Sequence, residues 1–182
     1  MKFSKTTGSA AFKLEQLDSD ALIRVFSCSV EEYDEYLHKD AMRSQNDHIA
    51  LTWLLRERFT GKIAAYMSLI ADAIKLSVSE KELHDLNYPF KTIPSMKIAK
   101  LAVSKEFSNK YKGIGSFMIG SARTIARTCT DHYCAYRFLT VDADIEHNEG
   151  VRVFYEKNGF IPNSELYNNN RKTISMRKDL YQ

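Results

Sequence analysis

The residues best suited to chemistry stand in one glycine-rich turn of a 182-residue chain. Residues 110–116 read Lys-Tyr-Lys-Gly-Ile-Gly-Ser, and a helical pattern of apolar residues begins directly behind the glycines. The first turn of a helix leaves backbone N–H groups without intrahelical partners, and these groups favour anionic ligands. Lys105, Lys110 and Lys112 add positive charge to the same segment. The turn is therefore predicted to hold a cofactor that carries a polyphosphate.

Three kinds of phosphate-binding loop compete for this segment. A P-loop requires Gly-x-x-x-x-Gly-Lys-Ser/Thr, and it is excluded because Lys112 precedes Gly113. A dinucleotide-binding loop requires a third glycine where Met118 stands, and the strand–helix alternation does not continue. The third is the acetyl-coenzyme A loop, basic-x-x-Gly-x-Gly, whose named positions are Lys110, Gly113 and Gly115. By itself, this short pattern also fits glycines that merely open a helix.

The elements that position the turn follow from the spacing of apolar residues. An apolar run at 96–103 predicts a strand before the turn, and apolar residues recur at helical spacing from Ile114 onward. Residues 136–143 predict the next strand, and 148–158 predict a short helix that ends at Gly159. A strand–helix–strand unit predicts two neighbouring parallel strands joined by a right-handed crossover.

The remaining strands make the predicted sheet mostly antiparallel. A first strand is predicted at 12–17, a hairpin at 48–55 and 63–70, and closing strands at 160–161 and 173–176. The predicted fold class is therefore α+β, with a mixed and mostly antiparallel sheet.

Two helical segments accompany these strands. Ser29 and Glu32 have the spacing of a capping box, and they predict a helix that reaches about Arg43. Residues 77–94 form a long polar excursion with a short predicted helix at 80–86, and a loop of this length is often functional.

Composition indicates an ordinary soluble globular protein, with 1–182 as a single domain. The net charge is only +3, too small to indicate nucleic-acid binding from the whole chain. No apolar run reaches the roughly 20 residues that span a bilayer, and 1–8 lack the apolar region of a secretory signal. The three cysteines have no metal-like spacing, so we expect free thiols in the cytoplasm and no metal site.

A second motif lies downstream of the turn. Asn148, Tyr155 and the Gly-Phe pair at 159–160 follow a predicted strand that ends near Ala143. Together with Lys-Leu-Ala-Val at 100–103 and the glycine turn, this motif resembles the GCN5-related N-acetyltransferase (GNAT) family. The likeness covers about residues 20–180 and is strongest over 96–161.

The resemblance implies an α/β/α sandwich that uses acetyl-coenzyme A as co-substrate. In this family the sheet splays between its two central parallel strands to admit the cofactor, whose pantetheine arm pairs with the first of them. The pyrophosphate is wrapped by the main chain of the glycine turn, and the asparagine lies beside the cofactor arm. The cofactor-binding residues implied are Leu101, Ala102, Val103, Lys110, Lys112, Gly113, Ile114, Gly115, Ser116 and Asn148.

The same resemblance makes Tyr155 the general acid. When an amine attacks the thioester, a phenol of pKa about 10 can protonate a thiolate whose conjugate acid has a pKa near 8.5. Asn148 lies seven residues before Tyr155, so on the predicted helix both would face the same way. The alternative is a tyrosine that only packs its ring in the core.

The chain departs from the family pattern just before the glycines. Extra residues lie at 107–110, Tyr111 stands where another glycine is common, and Lys110 replaces the more usual Arg or Gln. The resemblance therefore does not specify the contacts of 107–112.

The amino-terminal half resembles the acetyltransferase toxins of bacterial toxin–antitoxin pairs. The likeness rests on 26–37, on Ala41 and on the hairpin segment 66–69. It implies an acceptor amine on charged tRNA, and it leaves open an antitoxin partner and a homodimer. Five basic residues can support an RNA backbone, although cofactor phosphates or a solvated face explain them equally well; they are Lys91, Lys97, Lys100, Arg123 and Arg127.

No general base is evident, since Glu146, His147 and His132 are more typical of surface positions. An α-amine of pKa near 8 is already partly neutral at pH 7, so a water relay can suffice. Three functions remain open: an N-acetyltransferase for an amine, a non-catalytic acyl-coenzyme A-binding module and a nucleic-acid-binding module. Within the first, charged tRNA competes with small amines and protein amines as acceptor.

Overall fold

The computed structural model describes residues 11–19, 21–163 and 172–182, so the amino-terminal segment 1–8 lies outside the described residues. Within these ranges it contains seven strands: β1 (Phe12–Gln16), β2 (Leu51–Glu57), β3 (Ile63–Ile74), β4 (Ile93–Val103), β5 (Phe138–Asp144), β6 (Ile161–Pro162) and β7 (Thr173–Asp179). They belong to one sheet in the order β1-β2-β3-β4-β5-β7-β6. Each predicted strand is found, with its ends shifted by a few residues.

Helices flank this sheet. The α-helices are α1 (Glu31–Glu35), α2 (Ala41–Asn46), α3 (Val78–Leu83), α4 (Lys105–Lys110), α5 (Ile114–His132) and α6 (Val151–Lys157). A π-helical turn, Tyr36–Asp40, joins α1 to α2, and a 3₁₀ helix covers Ala21–Val25. No helix among the described residues is both long and apolar enough to cross a membrane.

The predicted fold class is confirmed, because the sheet is mostly antiparallel with one parallel pair. β4 and β5 are that pair, and their register runs from Ser95 opposite Phe138 to Ile98 opposite Val141. Both strands continue beyond this register, β4 to Val103 and β5 to Asp144. The splay of the sheet between these two strands stays a prediction.

The chain divides into two compact units. The first comprises Met1–Ile70 and Ala99–Ser121, and the second comprises Ala71–Ile98 and Ala122–Gln182. The single domain inferred for residues 1–182 stays a prediction.

The core of the first unit is built where α1, the π-helical turn and α2 pack on the β2–β3 hairpin. Leu37 and Ala41 are buried, and they share a cluster with Leu54 and Tyr66. The Tyr66 hydroxyl donates to the carbonyl of Tyr33 at 2.7 Å, which satisfies the polar end of a fully buried ring.

The predicted capping box at Ser29 is wrong. Helix α1 begins at Glu31 after Val30, whose side chain makes no capping hydrogen bond. Asp34 instead accepts the backbone N–H of Cys28 at 2.7 Å, and Glu32 pairs with the Lys100 ammonium at 2.7 Å. The Asp34 carboxylate therefore fixes the chain before the helix by its hydrogen bond to Cys28, six residues earlier. The Ser-x-x-Glu pattern does not specify this contact.

The short helix in 77–94 is confirmed, although it starts earlier than predicted. Ser77 caps α3 by accepting the N–H of Glu80 at 3.2 Å, while the Glu80 carboxylate accepts the N–H of Ser77 at 2.8 Å. This reciprocal pair is a capping box, so α3 is defined by its own sequence.

Buried charged side chains connect α3 to the strands of the second unit. Arg177 on β7 is 1% exposed, and its guanidinium donates to Glu80 at 2.7 Å and to His84 Nε2 at 3.2 Å. His84 Nδ1 lies 3.0 Å from Asp179, which also accepts from Arg137 at 2.7 Å. Because His84 Nε2 accepts a hydrogen bond, the proton of the neutral ring must reside on Nδ1. The network fixes both the tautomer and the uncharged state of His84.

This network predicts a pH dependence of stability. Burial lowers the pKa of His84, the positive charge of Arg177 lowers it further, and Asp179 opposes both effects. Folding therefore disfavours the protonated imidazole. The stability that neutral His84 contributes to the fold is fully present above the unfolded pKa of about 6.5, and it is lost as the pH falls below that value. We expect the free energy of unfolding to fall from about pH 7.5 to about pH 5 more steeply in the natural protein than in His84→Gln. Urea unfolding followed by circular dichroism measures both slopes, and equal slopes would contradict this account.

Candidate active site

Strand β4 leads into the glycine turn in the first unit, and its side chains alternate as expected. Ala102 is 5% exposed and belongs to the buried cluster of this unit, whereas Leu101 and Val103 are half-buried. The N–H of Ser104 donates to the carbonyl of Ala64 at 2.9 Å, and this bond fixes the end of the strand. Ala102 is thus an anchor in the core, and its neighbours lie on the opposite face.

The extra residues before the glycines form helix α4, which the sequence analysis did not predict. Phe107 is 1% exposed and stacks on Tyr111 with ring centroids 6.3 Å apart. Both rings meet Phe12 of β1 edge-on, at 5.9 Å from Phe107 and 5.3 Å from Tyr111. The aromatic cluster holds the lengthened segment against the core, so Tyr111 packs where the family more often has glycine.

The turn itself depends on Gly113. Its φ is +96°, a backbone conformation that side chains with a Cβ rarely adopt. The Gly113 carbonyl accepts the N–H of Phe117 at 2.9 Å, so the helical hydrogen bonds of α5 begin at this residue. Ile114 is 2% exposed and anchors the first helical turn, while Gly115 is half-buried and Ser116 is exposed. The first N–H groups of a 19-residue helix thus follow directly on a left-handed glycine.

Both lysines of the turn are exposed. Lys110 Nζ lies 3.4 Å from Glu57 and 5.2 Å from the centre of the Tyr111 ring. A hydrogen bond with Tyr111 and the charge of Glu57 raise the pKa of Lys110, so the ammonium stays charged. Lys112 Nζ donates to the carbonyl of Ser108 at 3.5 Å. The turn therefore carries two positive side chains beside its amide groups.

Tyr155 lies on α6 in the second unit and is 5% exposed. Its ring meets Phe154 and Phe160 edge-on, with centroids 5.1 Å and 5.3 Å apart. Burial raises the pKa of the Tyr155 hydroxyl, and the negative charge of Asp144 raises it further. The phenol therefore keeps its proton throughout the physiological range.

Asn148 lies before α6, not on it. The helix begins at Val151 after Gly150, so the inference that Asn148 and Tyr155 share a helix face is wrong. The Asn148 amide oxygen accepts the N–H of Gly150 at 2.9 Å and thereby shapes the turn before the helix. Gly159 has φ +84° and ends α6 as predicted.

The residues considered as a general base have partners of their own. His147 Nδ1 lies 2.8 Å from Asp144, and Glu146 forms a 2.9 Å ion pair with Lys172. Among the described residues, no group of three or more His, Cys, Asp or Glu is placed to hold a metal ion.

Four of the five basic residues considered for RNA contact protein groups. Lys100 pairs with Glu32 at 2.7 Å, and Lys97 pairs with Asp142 at 2.5 Å. Arg123 donates to the carbonyl of Leu180 at 3.3 Å, and Arg127 lies 5.3 Å from the centre of the Tyr181 ring. The charges of Lys97 and Lys100 are compensated within the protein, and the four contacts give no independent support to a nucleic-acid-binding module.

The sequence analysis missed a polar group in the second unit that involves β3, β4 and β5. Thr140 donates its hydroxyl to Asp72 at 2.8 Å, close to the Lys97–Asp142 ion pair in the strand register. The available signal was the alternation of Thr140 and Asp142 with apolar residues in a strand that was predicted to be central.

Several solved structures share this fold, and three of them illustrate the likeness. AtaT complexed with acetyl-methionyl-tRNAfMet is 21% identical, with a TM-score of 0.73 over 90% of this chain and 93% of that one. A mutant of KacT with one tyrosine replaced by phenylalanine is 17% identical, with a TM-score of 0.76 over 93% and 95% of the two chains. An AtaT mutant toxin with the same kind of replacement, bound to the C-terminus of the antitoxin AtaR and acetyl-CoA, is 18% identical, with a TM-score of 0.72 over 93% and 94%.

These likenesses confirm the expected GNAT fold, which the chain shares with AtaT and KacT. No protein-family model matches the chain, and no curated protein matches it significantly.

The conformation of Gly113 predicts that Gly113→Ala weakens coenzyme A binding. A residue with a Cβ costs roughly 1–2 kcal/mol in the left-handed region. The turn of Gly113→Ala is expected to relieve this strain by a change in backbone conformation, and that change moves its amide groups out of their original geometry. We expect about a tenfold rise in the dissociation constant for coenzyme A, measured by isothermal titration calorimetry.

Gly120→Ala is the matched control on the same helix. A Cβ at Gly120 would meet no atom within 4 Å among the described residues, and alanine is the better helix former. We expect unchanged coenzyme A affinity and an equal or higher melting temperature. Equal affinities for all three proteins would show that the turn does not bind the cofactor.

Proposed function

We propose that this protein is an acetyl-coenzyme A-dependent N-acetyltransferase that acts on a primary amine, with Tyr155 as general acid. The observation that carries the proposal is the buried phenol of Tyr155, which keeps its proton on a short helix directly after the strand that pairs with β4. The shared fold supports it, because a structure with that fold binds acetyl-CoA.

The glycine turn is proposed to hold the pyrophosphate of the co-substrate. The donors suited to it are the main-chain N–H groups at 113–116, with Lys110 and Lys112 as charged neighbours. The backbone of β4 at Leu101, Ala102 and Val103 is proposed to pair with the pantetheine arm, and Asn148 to contact that arm. The positive φ of Gly113 and the exposure of both lysines fit this role.

The proposed reaction is direct transfer. The amine nitrogen attacks the thioester carbonyl carbon, the carbon–sulfur bond breaks, and the thiolate takes the proton of the Tyr155 hydroxyl. The amine can attack in its neutral form, since an α-amine of pKa near 8 is partly neutral at pH 7. After the attack the nitrogen loses a proton to water, and the Tyr155 phenolate takes a proton back from water, which restores the general acid. The products are an N-acetylated amine and coenzyme A.

The α-amine of aminoacyl-tRNA is the first acceptor to test. AtaT is found in complex with acetyl-methionyl-tRNAfMet, and AtaT with the C-terminus of the antitoxin AtaR, so we propose tRNA and an antitoxin as partners. Charged tRNA is a cytoplasmic molecule, and the three free thiols of this chain suit that compartment. Small amines, protein amines and a homodimer remain alternatives within the proposal.

Labelled acetyl-coenzyme A, incubated with separate acceptor pools, tests the activity directly. The pools are charged tRNA, polyamines, amino acids and peptides, and label transferred to any one of them identifies the acceptor class. A chain that binds coenzyme A tightly but labels no pool would instead favour the non-catalytic acyl-coenzyme A-binding module.

Tyr155→Phe is expected to lower kcat by about 100-fold or more, because general acid catalysis contributes roughly 10²–10⁴-fold. The dissociation constant for coenzyme A should stay within about twofold, since the ring and its packing are retained. Steady-state kinetics on the identified acceptor and calorimetry with coenzyme A give the two values.

Tyr133→Phe removes the same hydroxyl from a side chain that is 86% exposed and serves as the matched control. Its kcat should equal that of the natural protein. If Tyr155→Phe keeps full activity, Tyr155 is a core residue only and the proposed mechanism is wrong. Expression in bacteria adds a cellular readout, because growth arrest that Tyr155→Phe relieves would favour the toxin interpretation.

A further inference from the structure

A row of polar side chains lies on one face of the sheet within the second unit. It consists of Asp72 on β3, Lys97 on β4, and Thr140 and Asp142 on β5, and we call it the polar row. Lys97 stands directly opposite Thr140 in the parallel register, so the two side chains project from the same face. Asp142 shares that face because it is two residues further along β5.

Asp72 joins the row across an intervening strand. β3 and β5 lie on either side of β4 in the sheet, yet Thr140 Oγ1 donates to Asp72 Oδ2 at 2.8 Å. This hydrogen bond therefore passes over β4 on the face that carries Lys97. Thr140 is 2% exposed, whereas Asp72 is half-buried. A buried hydroxyl thus holds a carboxylate that is partly accessible to solvent.

The row lies where the parallel pairing of β4 and β5 ends. The last two pairs are Lys97 with Thr140 and Ile98 with Val141, and β5 then continues through Asp142 to Asp144. Polar side chains replace apolar ones at this point of a central strand, although burying polar groups in a sheet is costly unless they are paired. The polar row therefore marks a place that apolar packing does not fill.

A second observation points to a bound group at the same face. Ser95 precedes Lys97 by two residues on β4 and so projects from the same side. It is 0% exposed, and its hydroxyl has no hydrogen-bond partner among the described residues. Since buried hydroxyls in native proteins are nearly always paired, this one indicates a water or ligand atom within the row.

The charges of the row and its neighbours select a cation. The ammonium of Lys97 lies 2.5 Å from Asp142, so these two charges compensate each other. Arg177, which stands opposite Thr140 on β7, is compensated in the same way by Glu80 at 2.7 Å. The hydrogen bond that Asp72 accepts from Thr140 comes from a neutral hydroxyl, so these side chains together carry one net negative charge. A half-buried carboxylate held in place in this way suits a primary ammonium group, which offers three donors in a compact charge.

We infer that Asp72 binds the ammonium group of the amine acceptor, with Thr140 as the residue that positions its carboxylate. The inference rests on the proposed function for the identity of the ligand as acceptor. Asp72 acts in binding and not as a base, because a carboxylate stabilises the charged form of the amine that it contacts. The bound ammonium then has to lose a proton to water and leave the carboxylate before its nitrogen attacks the thioester. Its loss should therefore affect the KM for the amine more than kcat.

The test compares a charged probe with its neutral N-acetylated form. Phenylalaninamide carries an α-ammonium group and no carboxylate, and N-acetylphenylalaninamide is neutral. Binding is measured by calorimetry in saturating coenzyme A, which has no acetyl group to transfer, so binding is separated from reaction. Asp72→Asn should weaken phenylalaninamide binding by about tenfold or more and leave the affinities for the neutral probe and for coenzyme A unchanged.

Variants with matched chemistry control for charge and for folding. Asp131→Asn makes the same charge change at an exposed position of α5 and should bind like the natural protein. Thr140→Val should weaken phenylalaninamide binding by about threefold to tenfold, and Thr140→Ser, which keeps the hydroxyl, should restore it. Thermal melting of each variant identifies any loss of folding.

The outcomes separate this inference from the proposed function. Equal binding of phenylalaninamide by the natural protein and by a folded Asp72→Asn overturns the inference, and so does failure of the natural protein to prefer the charged probe. Acetyl transfer that persists with an unchanged KM in Asp72→Asn leaves the proposed function standing without the Asp72 site. Asp72-dependent binding without any transfer supports the ammonium site and removes the proposed function.

Discussion

The short parallel pairing between β4 and β5 is the constraint on which the second unit depends. It places Lys97 beside Thr140, and the antiparallel register with β7 then places Arg177 on the other side of Thr140. Charged groups are thereby brought into the middle of a sheet, where each needs a partner to offset its desolvation. Arg177 finds Glu80 and His84, and Lys97 finds Asp142. The polar face of this unit is thus a consequence of strand register, and α3 is held in place as one of its partners.

The first unit depends on a different constraint, the combination of an aromatic anchor with a left-handed glycine. Phe12, Phe107 and Tyr111 hold the segment before the turn, while Ile114 holds the segment behind it. Between these anchors Gly113 is free to adopt φ +96°, which exposes the chain at the start of α5. Packing on both sides of the turn therefore sets its position in the chain.

Elements with strong periodicity were predictable, and contacts between distant residues were not. The hairpin, the long helix α5 and the parallel pair follow from the spacing of apolar residues, because the core selects that spacing. The capping box assigned to Ser29 failed because Asp34 bonds the preceding chain, and the helix start at Asn148 failed because its side chain shapes a turn instead. Asp72 and Thr140 are 68 residues apart, so only the strand order brings them together.

Tyr155 fits both interpretations that the sequence left open, a packed core residue and a general acid. Its ring packs against Phe154 and Phe160 as a core residue would, and the same burial raises the pKa of its hydroxyl. A raised pKa keeps the proton in place but makes the phenol a weaker acid. A thiolate that forms in a similarly dry environment is also a stronger base, since burial disfavours its charge too. Core packing of the ring is therefore compatible with the proposed role of a general acid, which requires a protonated hydroxyl.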